Sequence, residues 1–95
     1  MKDITIYSIQ YKETTPREDN ILETKNGVCD YAYYNEGDAI KKVKELAEEK
    51  VAECIDELGY EEDDVDTTEN ENGDYRCVNC GSNTYEYWVM GLGVI

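Results

Sequence analysis

Apolar side chains recur along this chain in two periods. Between Asn35 and Gly59, Ile40, Val43, Ala47, Val51, Cys54 and Leu58 follow at spacings of three and four, which is one face of an α-helix. Asn35 is a good N-cap, Asp38 three residues on makes a partial capping box, and Gly59 supplies a stop. At 1.5 Å per residue the rod is roughly 34 Å long, enough to cross a four-stranded sheet.

The flanks carry the β signal. Residues 3–12 read as a strand through Ile4, Ile6, Tyr7, Ile9 and Tyr11. Thr14 to Asn20, with Pro16, reads as a loop. A second strand begins at Ile21 to Lys25, meets a turn or bulge at Asn26-Gly27 and continues from Val28 to Tyr34. After the helix, Tyr60 to Gly73 is an acidic connector with few apolar anchors. Asp74 to Asn79 and Ser82 to Met90 form a closing hairpin, in which Tyr85, Tyr87 and Val89 alternate with Glu86, Trp88 and Met90. The tail from Gly91 to Ile95 is an apolar edge segment or an interface. The order strand, strand, helix, strand, strand predicts one α+β domain over 1–95: an antiparallel sheet (ββαββ) with one long helix packed across one face. A zinc-ribbon-like hairpin attached to a helix is the alternative.

Charge changes this picture most. The net charge is −14 over 95 residues, which favours solubility at some cost in self-repulsion. Between Lys50 and Arg76 there is no basic residue, while Glu53, Asp56, Glu57, Glu61, Glu62, Asp63, Asp64, Asp66, Glu69, Glu71 and Asp74 all fall there. At 100° per residue, Glu45, Glu49 and Asp56 lie opposite the apolar stripe, with Glu48 and Glu53 flanking them. Lys44 and Lys50 stand at its borders. Lys41 with Glu45 and Lys44 with Glu48 have pairing distance, so the first half of the helix is nearly self-neutralised. From Glu53 on the helix has no such partners, and its acids meet the negative end of the helix dipole. Bare nucleic acid and an anionic membrane are excluded as partners, whereas a basic protein surface fits.

Composition bounds the rest. Nine Tyr, one Trp and no Phe give rings with polar tips, suited to half-exposed sheets and interfaces. A chain this short buries one core with little left for a deep cleft. No apolar run approaches the length of a membrane span, and Met1-Lys2-Asp3 does not read as a signal peptide. The expected setting is the reducing cytoplasm, where the four cysteines are thiols or metal ligands.

The sharpest local motif is Cys77-Val78-Asn79-Cys80-Gly81, similar to one knuckle of a zinc ribbon. Four ligands require Cys29 and Cys54 to converge on Cys77 and Cys80, or two copies to pool their knuckles, because the chain has no histidine. A hairpin carrying two thiols, with Cys29 and Cys54 as small core residues, is the simpler reading. Asp64-Val65-Asp66 starts like a calcium loop, but Thr68 and Glu69 break the pattern. With no histidine, no nucleophile–base pair and no phosphate loop, no catalytic residue is expected and no cofactor beyond zinc.

In size, charge, Tyr-rich strands and the junction Tyr34-Asn35-Glu36-Gly37-Asp38-Ala39-Ile40-Lys41-Lys42, the chain resembles the small acidic inhibitors encoded by bacteriophages and mobile elements, among them anti-CRISPR proteins and other DNA mimics. That resemblance implies a non-enzymatic monomer or homodimer in the host cytoplasm, bound to a nucleic-acid-binding protein such as a CRISPR effector. The charge pattern itself nominates the contact residues: Glu49, Glu53, Asp56, Glu57, Glu61, Glu62, Asp63, Asp64 and Asp66. Three alternatives remain: an acidic face that only aids solubility, a zinc-stabilised adaptor, and a dimeric scaffold using Trp88, Met90 and the tail.

Overall fold

The computed structural model describes residues 4–16 and 21–94. Positions 1–3, the end of the expected loop at 17–20 and Ile95 lie outside the described residues. Helix α1 runs over Glu36–Asp56. The Asn35 side chain accepts from the N–H of Gly37 at 2.7 Å and of Asp38 at 3.3 Å, which satisfies two of the free donors at the helix start. At the other end Gly59 takes φ 77°, and the turn it allows lets the Tyr60 N–H donate to the Cys54 carbonyl. Because the helix ends at Asp56, Leu58 falls outside the apolar stripe and is exposed. Ala39, Val43, Ala47 and Cys54 are the buried positions.

The strands are β1 (Ile4–Pro16), β2 (Leu22–Tyr33), β3 (Val65–Glu69), β4 (Tyr75–Cys80) and β5 (Asn83–Val94). They form one antiparallel sheet in the order β2-β1-β5-β4-β3, with α1 across one face. The α+β architecture is the expected one. The element order has one more strand than expected, because β3 forms inside the acidic connector. Val65, Thr67 and Thr68 are β-branched, and β4 supplies a full ladder for them from Val65↔Cys80 to Glu69↔Arg76. Ahead of β3 the chain makes a single 3-10 turn at Glu62–Asp64.

The break in β2 also differs from the sequence expectation. Pairing runs unbroken through Asn26-Gly27, and the irregularity lies further on, where Ser8↔Ala32 gives way to Gln10↔Val28 and three β2 residues stand against Ile9 alone. Gly27 has another task. Tyr11 is its cross-strand neighbour, and a Cβ there would come within 2.7 Å of the Tyr11 Oη, so the missing side chain is what admits the ring.

Cross-strand rows place the core. Thr67, Val78, Tyr85 and Glu13 form one row, and Glu69, Arg76, Tyr87, Tyr11 and Gly27 another, both on the helix side. Ile9, Val43, Val78, Cys54 and Cys80 are fully buried between helix and sheet. Each of the three aliphatic ones contributes about 1.5–3 kcal/mol by leaving water. The opposite sheet face carries Gln10, Trp88 and Tyr75 in one row and Lys12, Glu86, Cys77 and Thr68 in the next. No helix of the described residues covers it.

Candidate functional site

The nominated acids separate into three groups once the chain is folded. Glu49, Asp56 and Glu57 are exposed on the outward side and C-terminal end of α1, joined there by Glu45 and Glu48. Glu61, Glu62, Asp63 and Asp64 are exposed in and around the 3-10 turn that follows. This second group is anchored by Tyr60, whose ring packs so closely on Gly81 of the β4–β5 turn that a Cβ there would lie 2.7 Å from its Oη. The two groups are contiguous along the chain, and together they are the larger part of the nominated set.

Glu53 and Asp66 do not join them. Glu53 is turned toward Lys50, whose Nζ donates to its Oε2 at 3.0 Å. The same ammonium lies 3.7 Å from Glu13 of β1 and 4.6 Å from the centre of the Tyr85 ring. The expectation that the helix is uncompensated from Glu53 onward is therefore corrected: the unpaired stretch begins at Asp56. Asp66 pairs in register with Asn79, in the row that faces away from α1, so strand alternation sends it to the other side of the sheet. Earlier on the helix, Glu45 pairs with Lys42 at 3.8 Å, three residues away, where the sequence suggested Lys41.

Arg76, the cation that ends the basic-free stretch, donates to Glu69 at 2.7 Å across the β3–β4 ladder. Its Nε is buried without a hydrogen-bond partner. It forms part of a groove of about 340 Å³ between α1 and β3, whose walls include Glu48 and Glu69. Asn70 organises the tight β3–β4 connection by accepting from the Tyr75 N–H and donating to Asp74. Lys50 and Arg76, which the charge pattern marked only as boundaries, are thus both held in ion pairs with carboxylates. The Lys50–Glu53 spacing was readable in the sequence; the contacts with Glu13 and Tyr85 come from β1 and β5, two strands far away in the chain.

Of the two cysteine readings, the structure has the hairpin carrying two thiols, with Cys54 in the core and Cys29 packed against it, and not the zinc knuckle. Strand β4 runs through both Cys77 and Cys80, and a three-residue step along a strand points side chains to opposite faces. Cys80 lies in the core beside Cys54, with the two sulfurs 2.9 Å apart. Cys77 lies on the other face opposite Glu86 and Thr68. Gly81, at φ 60°, serves the two-residue turn between paired Cys80 and Asn83. Among the described residues no three metal-ligating side chains come together. Burial, reinforced by the hydrogen bond with Cys80, pushes the Cys54 thiol up from 9.0 to about 12. Burial beside Glu86 also raises Cys77.

Tyrosines line both faces of the sheet. Tyr75 donates to the Glu86 carboxylate at 2.5 Å on the open face, and burial together with that bond raises its phenol well above the ordinary range. Burial pushes Tyr85 up to about 12, and Tyr87 is raised mainly by the same cause. These rings are structural hydrogen-bond donors and core fillers at neutral pH. No helix of the described residues is long and apolar enough to cross a membrane. Comparison of the chain with protein-family models, with curated proteins and with solved structures gives no match.

Proposed function

We propose that this chain is a non-enzymatic acidic inhibitor that occupies the basic nucleic-acid groove of another protein, with a CRISPR effector or another host defence protein as the target class and the host cytoplasm as the setting. The supporting observation is the continuity of exposed acid from the outward face of α1 through Asp56 and Glu57 into Glu61–Asp64. Glu45, Glu48, Glu49 and Asp56 span eleven helical steps, about 16.5 Å, with a mean interval of about 5.5 Å between carboxylates. One strand of duplex DNA carries one phosphate per roughly 3.4 Å. The helix face alone is sparser than a single strand, and Glu57 and Glu61 to Asp64 extend it, so lysines and arginines placed for phosphate would meet a run of carboxylates. The helix also holds its acids on a rigid element, so little ordering cost accompanies binding.

The contact set is Glu49, Asp56, Glu57 and Glu61 to Asp64. Glu53, paired with Lys50, and Asp66, on the other side of the sheet, lie outside it. A gel-shift competition tests the reading: a guide-loaded CRISPR effector is given labelled target duplex and increasing amounts of this chain. Release of the duplex is the expected result. Undisturbed duplex binding across a panel of effectors and other groove-bearing nucleic-acid-binding proteins would overturn the proposal.

A further inference from the structure

Cys54 and Cys80 are nucleophilic groups for which the acidic surface has no use. Cys54 comes from the last turns of α1 and Cys80 ends β4, and neither side chain is exposed at all. Their sulfurs stand 2.9 Å apart, about 0.9 Å beyond the roughly 2.0 Å of a covalent S–S bond. With no third ligating group beside them among the described residues, the pair is a closed dithiol and not half of a metal site. Their place in the chain is as informative as their distance. They are 26 positions apart, and the segment between them holds the acidic turn, β3 and most of β4.

We propose that Cys54 and Cys80 are an oxidation site, converted by a low-molecular-weight disulfide into an intrachain disulfide that ties the start of the acidic segment to its end. The chemistry is thiol–disulfide exchange. One protein thiolate attacks a sulfur of oxidised glutathione, breaks its S–S bond and releases one glutathione thiolate. The second protein thiolate attacks the protein sulfur of the mixed disulfide and releases the other. Two protein thiols lose two electrons and two protons, and the oxidant becomes two thiols.

The same structure sets the rates. Complete burial keeps oxidant from both sulfurs and holds the Cys54 thiol protonated, so the first attack waits for the end of α1 to open. That end is where acidic residues meet the negative pole of the helix, with no basic residue in the last turn. Once one sulfur has reacted, its partner returns to contact distance and ring closure is intramolecular. Cys77 is not an equivalent partner, because it is on the far side of the sheet.

The test uses the full chain with Cys29→Ser and Cys77→Ser, incubated with oxidised glutathione at about pH 8, alkylated and digested with trypsin. The sequence has no Lys or Arg between Lys50 and Arg76 or after Arg76, so Cys54 and Cys80 leave in separate peptides, 51–76 and 77–95. The proposal expects these peptides joined until reduced, an intact mass lower by two hydrogens and a melting temperature higher by about 10 °C or more. The wild-type chain, oxidised in the same way and mapped by tandem fragmentation, must place the bond on Cys80 even if the double variant does not fold. Glutathione adducts without the 51–76/77–95 link, a link to Cys77 in the wild type, or a lower melting temperature on oxidation would each overturn it. The proposal is independent of the inhibitor function, since none of these readouts involves a partner.

Discussion

Replacing Lys50 with Met should destabilise this protein far more than replacing any other helix lysine, although both changes remove one positive charge from a chain with a net charge of −14. Lys50 is only 15% exposed, with Glu53 at 3.0 Å, Glu13 at 3.7 Å and the Tyr85 ring at 4.6 Å. At an effective dielectric of about 20, the two ion pairs correspond to roughly 5.5 and 4.5 kcal/mol of direct attraction. Most of that is offset by desolvating the ammonium, and the carboxylates remain 44% and 30% exposed. Exposed pairs contribute about 0.2–1 kcal/mol and breaking buried ones costs about 3–5. These pairs lie between, at about 1 kcal/mol each, and the ring contact adds about 0.5–1. Methionine keeps the apolar stem, so the expected loss is electrostatic, about 2–3 kcal/mol. For a domain of this size that lowers the melting temperature by roughly 10–20 °C. Urea unfolding of Lys50→Met beside Lys44→Met, with a double-mutant cycle through Glu53→Gln, measures it. A Lys50→Met loss within about 0.5 kcal/mol of Lys44→Met, or a coupling to Glu53 near zero, would show that these contacts do not stabilise the fold.

Three further outcomes follow from the same structure. Gly27→Ala should cost about 1–2 kcal/mol by pushing the Tyr11 ring off its cross-strand seat, and in a Tyr11→Ala background the same change should cost nothing measurable; equal costs in both backgrounds would show that Tyr11 is not the obstacle. Raised pKa values in the folded state mean that stability is present below the ordinary values of these groups and is lost as the unfolded chain releases protons first. With Cys54 at about 12 against 9.0, and Tyr85 at about 12 against 10.0, the fold should weaken from about pH 9 upward by about 1.4 kcal/mol per pH unit for each group. Circular dichroism against pH checks this, and a melting temperature unchanged between pH 8 and 11 would contradict it. Added sodium chloride should raise the melting temperature, because unpaired carboxylates far outnumber the pairs that salt weakens; a falling melting temperature would mean that ion pairs dominate.

What the sequence revealed and what it hid divides along local and non-local physics. The helix was legible because its signals are local: Asn35 caps its own next turn, and the three-and-four spacing is a property of one segment. Strand β5 was legible for the same reason, through the alternation from Tyr85 to Met90. Strand β3 was hidden by its composition. Asp66 and Glu69 made it look like solvated loop, and only the ladder to β4 turns its Val and Thr residues into a strand. Gly27 looked like a turn because glycine usually marks one, whereas its reason lies in Tyr11, a strand away. The cysteine motif failed in a similar manner: a two-residue gap suggests a knuckle on a turn, but the strand continues through Cys80 and separates the thiols. Among the acids, helical phase correctly placed Glu49 and Asp56 outward. It could not anticipate that Lys50 draws Glu53 aside, or that an unforeseen strand turns Asp66 to the other face.

We propose that the acids from α1 into the following turn form a contact surface for a basic groove. It is measured as the affinity for whichever guide-loaded CRISPR effector releases its duplex in the gel-shift competition, followed across ionic strength. The wild type is compared with a variant in which Glu49, Asp56, Glu57, Glu61, Glu62 and Asp63 become Gln or Asn. These residues are all exposed, so circular dichroism should find the variant folded. A steep loss of wild-type affinity with salt is expected, and for the variant an affinity at least about tenfold weaker with a shallower salt dependence. Equal affinities and equal salt slopes in a folded variant would contradict it and leave the acidic face as a solubilising surface.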